Sequence, residues 1–288
     1  MPEGPEVRRI TDHLTKVAAG GTLDRIDFID ARYTPGGSQM RNKIGPLVVA
    51  MPVKIEKVDC HGKFIYWQLN DFVIFQTLGM SGTWRQRKPS KHHRLTFHIT
   101  KADGKKVALH YKDTRCFGTF IINEGRETLE KKLGKDLGPD LLQVQTPREE
   151  VQTIFRKKNK QNITKVLMNQ KVFAGIGNYL KAEILHECKL SPNCKIEDLS
   201  DDELWNLYNV ARWHICASYS AKGASFKDYV MPDGSKGGTQ YNFKVYQRKV
   251  CSCGQRVTRA VTPDKRPTWW CSDCQTIPTQ HTSVGSVK

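Results

Sequence analysis

The sequence is poor in acid. Its 288 residues carry 29 Asp and Glu against 46 Lys and Arg, a formal net charge of +17. Such a balance calls for a polyanionic partner, with nucleic acid ahead of anionic membrane surfaces or mere solubility. No run of 18 apolar residues occurs, which excludes a membrane-spanning helix. Glycine (22) and proline (13) are too few for a collagen-like or low-complexity chain, and 38% apolar residues supply a packed core. The opening Met1-Pro2-Glu3-Gly4-Pro5-Glu6 lacks the basic and apolar regions of a secretory leader. An intracellular protein is therefore expected, and the Asn162-Ile163-Thr164 sequon is expected to be inert. A disulfide framework is absent too. The nine cysteines are odd in number, and Cys60, Cys116, Cys188, Cys194 and Cys216 are scattered without pattern.

Residues 5–19 predict an amphipathic helix, with Val7, Ile10, Leu14, Val17 and Ala18 on one face and Gly20-Gly21 ending it. Short β-type runs follow at Leu23–Ile29, Leu47–Val53, Phe64–Leu69, Phe72–Phe75, Arg94–Ile99, Val107–Tyr111 and Thr119–Ile122. Their spacing suggests a sandwich or barrel. The charged stretch 124–146 reads as a linker. Helices are expected after it: one from the capping box Thr146-Pro147-Arg148-Glu149, then Ile163–Met168, Tyr179–Glu187, and one opened by Ser200-Asp201-Asp202-Glu203. A glycine-rich loop over 223–242 and a disordered tail over 276–288 complete the reading.

Four cysteines stand apart as Cys251-Ser252-Cys253, then 17 residues, then Cys271-Ser272-Asp273-Cys274. Two close thiolate pairs on a hairpin suit a closed, structural zinc site, although the first pair is one residue shorter than regular zinc-ribbon spacing. A metal-free hairpin is the alternative. Arg266 falls at the hairpin tip. Gly175-Ile176-Gly177-Asn178 runs into a helix N-terminus, which welcomes an anion, or is a plain interhelical turn. Lys63 starts an apolar strand. Met80, Arg115 and Phe117 sit at turns, where exposed apolar side chains are costly unless they insert into something. Removal of Met1 would free the secondary amine of Pro2, and an α-amine has a reference pKa of roughly 7.7–8.0 against roughly 10.4 for lysine. Glu3 and Glu6 bracket that amine and can move protons.

Taken in order, these segments resemble the formamidopyrimidine-DNA glycosylase / endonuclease VIII family. The likeness spans nearly the whole chain: Pro2-Glu3-Gly4-Pro5-Glu6, Gly62-Lys63, Leu78-Gly79-Met80-Ser81-Gly82, Arg115 with Phe117, Leu137-Gly138-Pro139-Asp140, Gln170, Gly175-Ile176-Gly177-Asn178-Tyr179, Val245-Tyr246 and the cysteine hairpin. The resemblance implies an α+β protein. Its N-terminal β-sandwich flanked by helices (1–130) would join through a linker (131–146) to a helix–two-turn–helix domain with a lesion loop (147–242) and a zinc-finger hairpin (243–275). It further implies that Pro2 forms a Schiff base with the sugar, that Glu3 is the general acid/base, with Glu6 supporting it, and that Lys63 holds a phosphate. Met80, Arg115 and Phe117 would fill the void left by an extruded base, Asn178 and Arg266 would clamp phosphates, and Cys251, Cys253, Cys271 and Cys274 would hold structural Zn2+.

The expected partner is duplex DNA carrying oxidised bases or abasic sites, with single-stranded DNA a second candidate, and the expected state a monomer away from membranes. Gly4, where the oxopurine branch has leucine, resembles the endonuclease VIII branch and favours oxidised pyrimidines. The 223–242 loop resembles the oxopurine branch instead, leaving 8-oxoguanine and formamidopyrimidines as the alternative. Cys116 departs from relatives that carry a second arginine there. A catalytically silent DNA-binding protein and a zinc-ribbon RNA-binding protein are the rival readings of the same charge and cysteines.

Overall fold

The computed structural model describes residues 2–42, 44–225 and 237–278. Helix α1 (Gly4–Ala18) buries Val7, Ile10, Leu14, Val17 and Ala18, the predicted face. Each such aliphatic side chain contributes about 1.5–3 kcal/mol when fully buried. The chain then lays down β1 (Thr22–Phe28), β2 (Met40–Asn42), the short helix α2 (Ile44–Ala50) and β3 (Val53–His61). Six further strands follow: β4 (Phe64–Leu69), β5 (Phe72–Thr77), β6 (Thr83–Arg85), β7 (His93–Thr100), β8 (Lys106–Lys112) and β9 (Thr119–Glu124). They form one sheet in the order β2-β9-β5-β4-β3-β1-β7-β8-β6. Strands β1 and β3 pair over only Thr22–Lys54 and Leu23–Val53, and there the sheet folds on itself. Trp67 of one half meets Trp84 and Phe97 of the other at ring separations of 5.6 and 5.3 Å, the core of a sandwich.

Two expectations fail in this half. The strand expected over Leu47–Val53 is mostly helix α2, whose Ile44 and Leu47 are buried three apart while Val49 faces solvent. Pro46 in its first turn and Pro52 just beyond it bound the helix, so the apolar run never becomes a strand. The true strand β3 escaped notice because a bulge between Ile55 and Lys57 breaks its alternation.

The stretch 124–146 is more than a connection. It holds α3 (Glu127–Lys131), whose Leu129 packs with Leu133 and Leu137 on Phe64, Tyr66 and Val73. Beyond it come α4 (Arg148–Arg156), α5 (Ile163–Met168), α6 (Asn178–Glu187) and α7 (Asp201–Ser220), around a second core. The Ser200 box caps α7, with Ser200 Oγ accepting the Glu203 N–H at 3.2 Å. The Thr146 box does not form. Pro147 takes the cap position of α4, and the Thr146 N–H donates to the Tyr208 hydroxyl at 2.6 Å.

The hairpin β10 (Thr258–Val261) and β11 (Pro267–Trp270) closes the described chain. Thr276 is tied down by bonds to Lys189 and Ser191 (3.0 and 2.9 Å). Residues 226–236 of the expected loop and 279–288 of the expected tail lie outside the described residues. Among the described residues no helix is long and apolar enough to cross a membrane.

Candidate active site

Polar contacts between the two cores converge on the start of α1. The Gly4 N–H donates to Gly175 O at 2.8 Å, so the chain's first turn is strapped to the turn before α6. Glu3, buried, reaches across: its Oε1 accepts the Tyr179 N–H at 2.9 Å and its Oε2 the Leu180 N–H at 3.3 Å. The group at the N-terminus of α6 is therefore the protein's own Glu3 carboxyl group, beside the Gly175–Asn178 turn that was expected to welcome an anion. Gly177 allows this approach, because a β-carbon there would run into the Glu3 carboxyl group.

Glu6, also buried, takes the Glu3 N–H on Oε2 (2.7 Å) and, on Oε1, the Ala224 N–H (2.7 Å) and the Tyr179 hydroxyl (2.9 Å). It ties Glu3 to the stem of the 223–242 loop. Burial, and after it the charge of Glu3, push the Glu6 carboxyl up to about 7. Burial likewise pushes Glu3 up, against the pull of Lys63 and of the two α6 amides.

Lys63 leaves the β3–β4 turn and donates to Ile176 O at 2.7 Å. Burial lowers its ammonium to about 8, with Glu3 pulling upward and Arg266 pushing further down. The turn itself needs Gly62, at φ +57° and so close to the α6 turn that a β-carbon would meet Gly175 N at 2.6 Å. Pro2, Lys63, Gln170 and Arg266 line one cavity of about 730 Å³, walled by both halves of the molecule.

Asn178 is not among the lining residues. Its amide donates to Pro267 O at 2.9 Å, beside Arg266, and so braces the hairpin. Met80 and Arg115 meet at the loop tip (Sδ to Nη1, 3.7 Å), and Phe117 beside them is 57% exposed. Cys116, between these two, turns inward and is buried.

Residues absent from the sequence-based set also build the site. Asp140 accepts the Gly62 N–H at 2.8 Å across the two halves, and Gln170 accepts the Gly175 N–H at 3.0 Å while lining the cavity. Tyr179 links Glu6 to Ser218, both at 2.9 Å. Asp140 and Gln170 lay inside recognisable motifs, but nothing in spacing alone reports such partners.

At the hairpin the four sulfurs of Cys251, Cys253, Cys271 and Cys274 all lie within 4.8 Å of one another. Separations of 3.9 Å (Cys251 to Cys274) and 3.6 Å (Cys253 to Cys271) suit the edges of a tetrahedron with metal–sulfur bonds of about 2.3 Å. The short Cys251–Cys253 spacing thus does not prevent convergence. His186 Nε2, 3.3 Å from Cys251 Sγ, adds an outer contact.

The models of the formamidopyrimidine-DNA glycosylase N-terminal domain and of its H2TH domain match residues 1–120 and 137–228. A formamidopyrimidine-DNA glycosylase of Brucella canis is 30% identical, over 96% of this chain and all of its own, and one of Rickettsia africae is 29% identical. The crystal structure of MutM (Fpg) from Thermus thermophilus superposes with a TM-score of 0.80 at 28% identity, covering 95% of this chain and 98% of that one. Lactococcus lactis Fpg in complex with DNA containing an abasic site gives 0.81 at 25% identity, over 95% and 99%. With its two principal domains matched and relatives of 30% identity aligned end to end, the chain belongs to the formamidopyrimidine-DNA glycosylase family.

Proposed function

We propose that this protein is a bifunctional DNA glycosylase and abasic-site lyase that removes oxidised purines and their formamidopyrimidine derivatives from duplex DNA. The observation that carries the reading is Pro2 in the wall of the cavity it shares with Lys63 and Arg266, next in sequence to the buried Glu3. With Met1 removed, the Pro2 amine bonds to C1′ of the extruded nucleotide while the bond from C1′ to the base breaks. Glu3, its pKa raised by burial, gives a proton to O4′ as the C1′–O4′ bond opens, and the departing base takes the proton that the Pro2 nitrogen releases. The iminium that results acidifies C2′, and β- then δ-elimination expel the two flanking phosphates.

Glu6 holds Glu3 in place, Lys63, Asn178 and Arg266 hold phosphate, with Asn178 also bracing the hairpin at Pro267, and Met80, Arg115 and Phe117 enter the stack. Rotating a base out of that stack costs roughly a few kcal/mol, which the inserted side chains offset. The nucleophile and the inserted tip would belong to the sandwich (1–130), and the clamps to the helical part (147–242) and the hairpin (243–275). Structural Zn2+ held by Cys251, Cys253, Cys271 and Cys274 would fix the hairpin that presents Arg266.

Purines replace the pyrimidines expected from Gly4 for two reasons. A β-carbon on Gly4 would meet Gly175 Cα at 2.9 Å, so packing accounts for this glycine without reference to a base. The relatives aligned end to end also carry the formamidopyrimidine name, not that of endonuclease VIII. Borohydride trapping on abasic-site DNA tests the nucleophile: the processed protein should give an adduct at Pro2, and a chain retaining Met1 should give none. Equal trapping by both would overturn the assignment. Excision of 8-oxoguanine opposite cytosine, measured against thymine glycol, tests the base preference.

A further inference from the structure

Outside the catalytic cavity lies a second concavity, of about 590 Å³, between the β6–β7 connection and the end of β8. Arg85, Arg87, Lys88, Lys91, His92 and Lys112 line it, and no aspartate or glutamate does. Elsewhere in this half several arginines are matched with acids: Arg8 of α1 with Asp12 and Asp59, and Arg94 of β7 and Arg32 with Asp30. Here none of the five Lys and Arg residues makes an ion pair among the described residues, and Arg85 Nε is buried without a hydrogen-bond partner. Like charges gathered on adjoining strands oppose folding. Their field reaches inward too, since Lys88 helps depress both His93 and His110, after burial in each case. Such a cluster gains stability when an anion with several charges enters it.

The position narrows the choice of anion. Thr114 belongs to the wall of this concavity and adjoins Arg115 of the exposed tip. At the tip's other root, Gly79 adjoins Met80 and lines the cavity that holds Pro2. The Met80–Arg115–Phe117 tip is thus flanked along the chain by a residue of the cavity proposed to take the extruded nucleotide and by a residue of the acid-free cationic hollow. When the tip enters a duplex, one strand falls on each side of it.

We propose that the concavity of Arg85, Arg87, Lys88, Lys91 and Lys112 is a second DNA-binding surface, which holds the sugar-phosphate backbone of the strand opposite the lesion. This inference rests on the reading of the tip as an inserted element. It gives the enzyme a grip on the undamaged strand that does not pass through the catalytic cavity.

The test is the variant R87S/K88S/K91S, altered only on the exposed connection and at none of the catalytic positions. Its affinity for a duplex carrying a tetrahydrofuran abasic analogue is measured from 50 to 200 mM KCl, beside the same lesion strand without its complement. Each phosphate contact contributes about 0.9 to the slope of log affinity against log salt, so three lost contacts shrink the salt-induced fall across this range by about 40-fold. Expected are a shallower slope on the duplex, unchanged binding of the single strand, and unchanged borohydride trapping at saturating DNA. An unchanged duplex slope overturns the proposal. Equal losses on duplex and single strand overturn it as well, because the contacted strand would then be the damaged one. Wild-type protein that fails to trap at all would sink the lyase chemistry, while the slope comparison would still decide the surface.

Discussion

Glu3 and Lys63 are titratable groups that burial tunes in opposite senses. Glu3 is raised by burial, which suits it to pass a proton in either direction. In Glu3→Gln the amide still fits at the head of α6 but cannot exchange that proton. Excision of the base should fall by about 10²–10⁴-fold, the usual range for a lost acid/base group, with far less effect on cleavage of a preformed abasic site. Equal losses in the two assays would remove Glu3 from proton transfer. Lys63, lowered by burial to about 8, is a cation below that pH and loses its charge above it. Affinity for abasic-site DNA should therefore decline as pH climbs past about 8, the bound phosphate moving the midpoint upward, while Lys63→Arg should flatten the decline between pH 7 and 9.5. Because the folded value lies below the ordinary 10.5, the same group favours the folded state increasingly as pH rises from about 8 to 10.5. Motifs pointed to Pro2, Glu3, Lys63 and Arg266, and the fold brings Pro2, Lys63 and Arg266 to one cavity wall. The pairing of Glu3 with the amides of Tyr179 and Leu180 could not be read from motifs, since 176 residues separate Glu3 from Tyr179 and only the tertiary fold joins them.

Helix α6 aligns three parts of the molecule. Its first turn receives Glu3, Asn178 braces Pro267, and buried Lys181 reaches Asp264 at 2.5 Å, the two side chains being 0% and 3% exposed. Asp264 in turn accepts the Thr262 hydroxyl and faces the Arg266 N–H, fixing the hairpin tip. Glu183 collects the N–H groups of Lys244, Val245 and Tyr246 where the chain enters the hairpin. Asp264→Ala would leave a buried ammonium without its partner, at a cost of about 3–5 kcal/mol. Thermal melting should show that loss, and DNA binding should drop as far as in Arg266→Ala. In a protein already carrying Arg266→Ala, the Asp264 change should weaken binding no further, and an additional drop would show that the pair does not act through Arg266. Among elements, those with an intact period were legible: α1, α5 and α7 by their apolar faces, β4 and β5 by their runs. Helix α2 was hidden by β-branched Val48 and Val49 (41% and 86% exposed), and β3 by the bulge at Lys57. The hairpin was legible from cysteine spacing alone, because four thiols able to converge on one point leave two close pairs in the sequence whatever lies between them.

At the scale of the whole molecule the two hydrophobic cores are separate, and many of the contacts joining them are polar. Gly4 bonds Gly175, Gly62 bonds Asp140, Lys63 bonds Ile176, His61 lies 2.7 Å from Gly138 O, and the Tyr219 hydroxyl donates to Asp12 at 2.7 Å. The order of β-rich and α-rich halves was plain in the sequence, yet this seam was not, because each bond unites residues distant along the chain and leaves no local pattern. Hydrogen-bonded seams permit adjustment that interlocked apolar side chains resist, and the function proposed above, with DNA seated against both halves, calls for such adjustment. Asp140 is the most exacting member. Its two oxygens accept the N–H groups of Gly62 (2.8 Å) and Leu142 (2.9 Å), so it fixes the Lys63 turn relative to the helical half. Asp140→Ala strands both donors, and each buried unsatisfied group costs about 1–3 kcal/mol. Both cores keep their own packing in this variant, so far-ultraviolet circular dichroism should be unaltered while the melting temperature falls. The single-turnover rate on a saturating abasic-site duplex should fall well beyond any change in Kd, because Lys63 and Pro2 would no longer be held in register with Arg266. A rate equal to wild type in a measurably destabilised Asp140→Ala protein would show that the seam serves stability alone, and that catalysis tolerates movement between the halves.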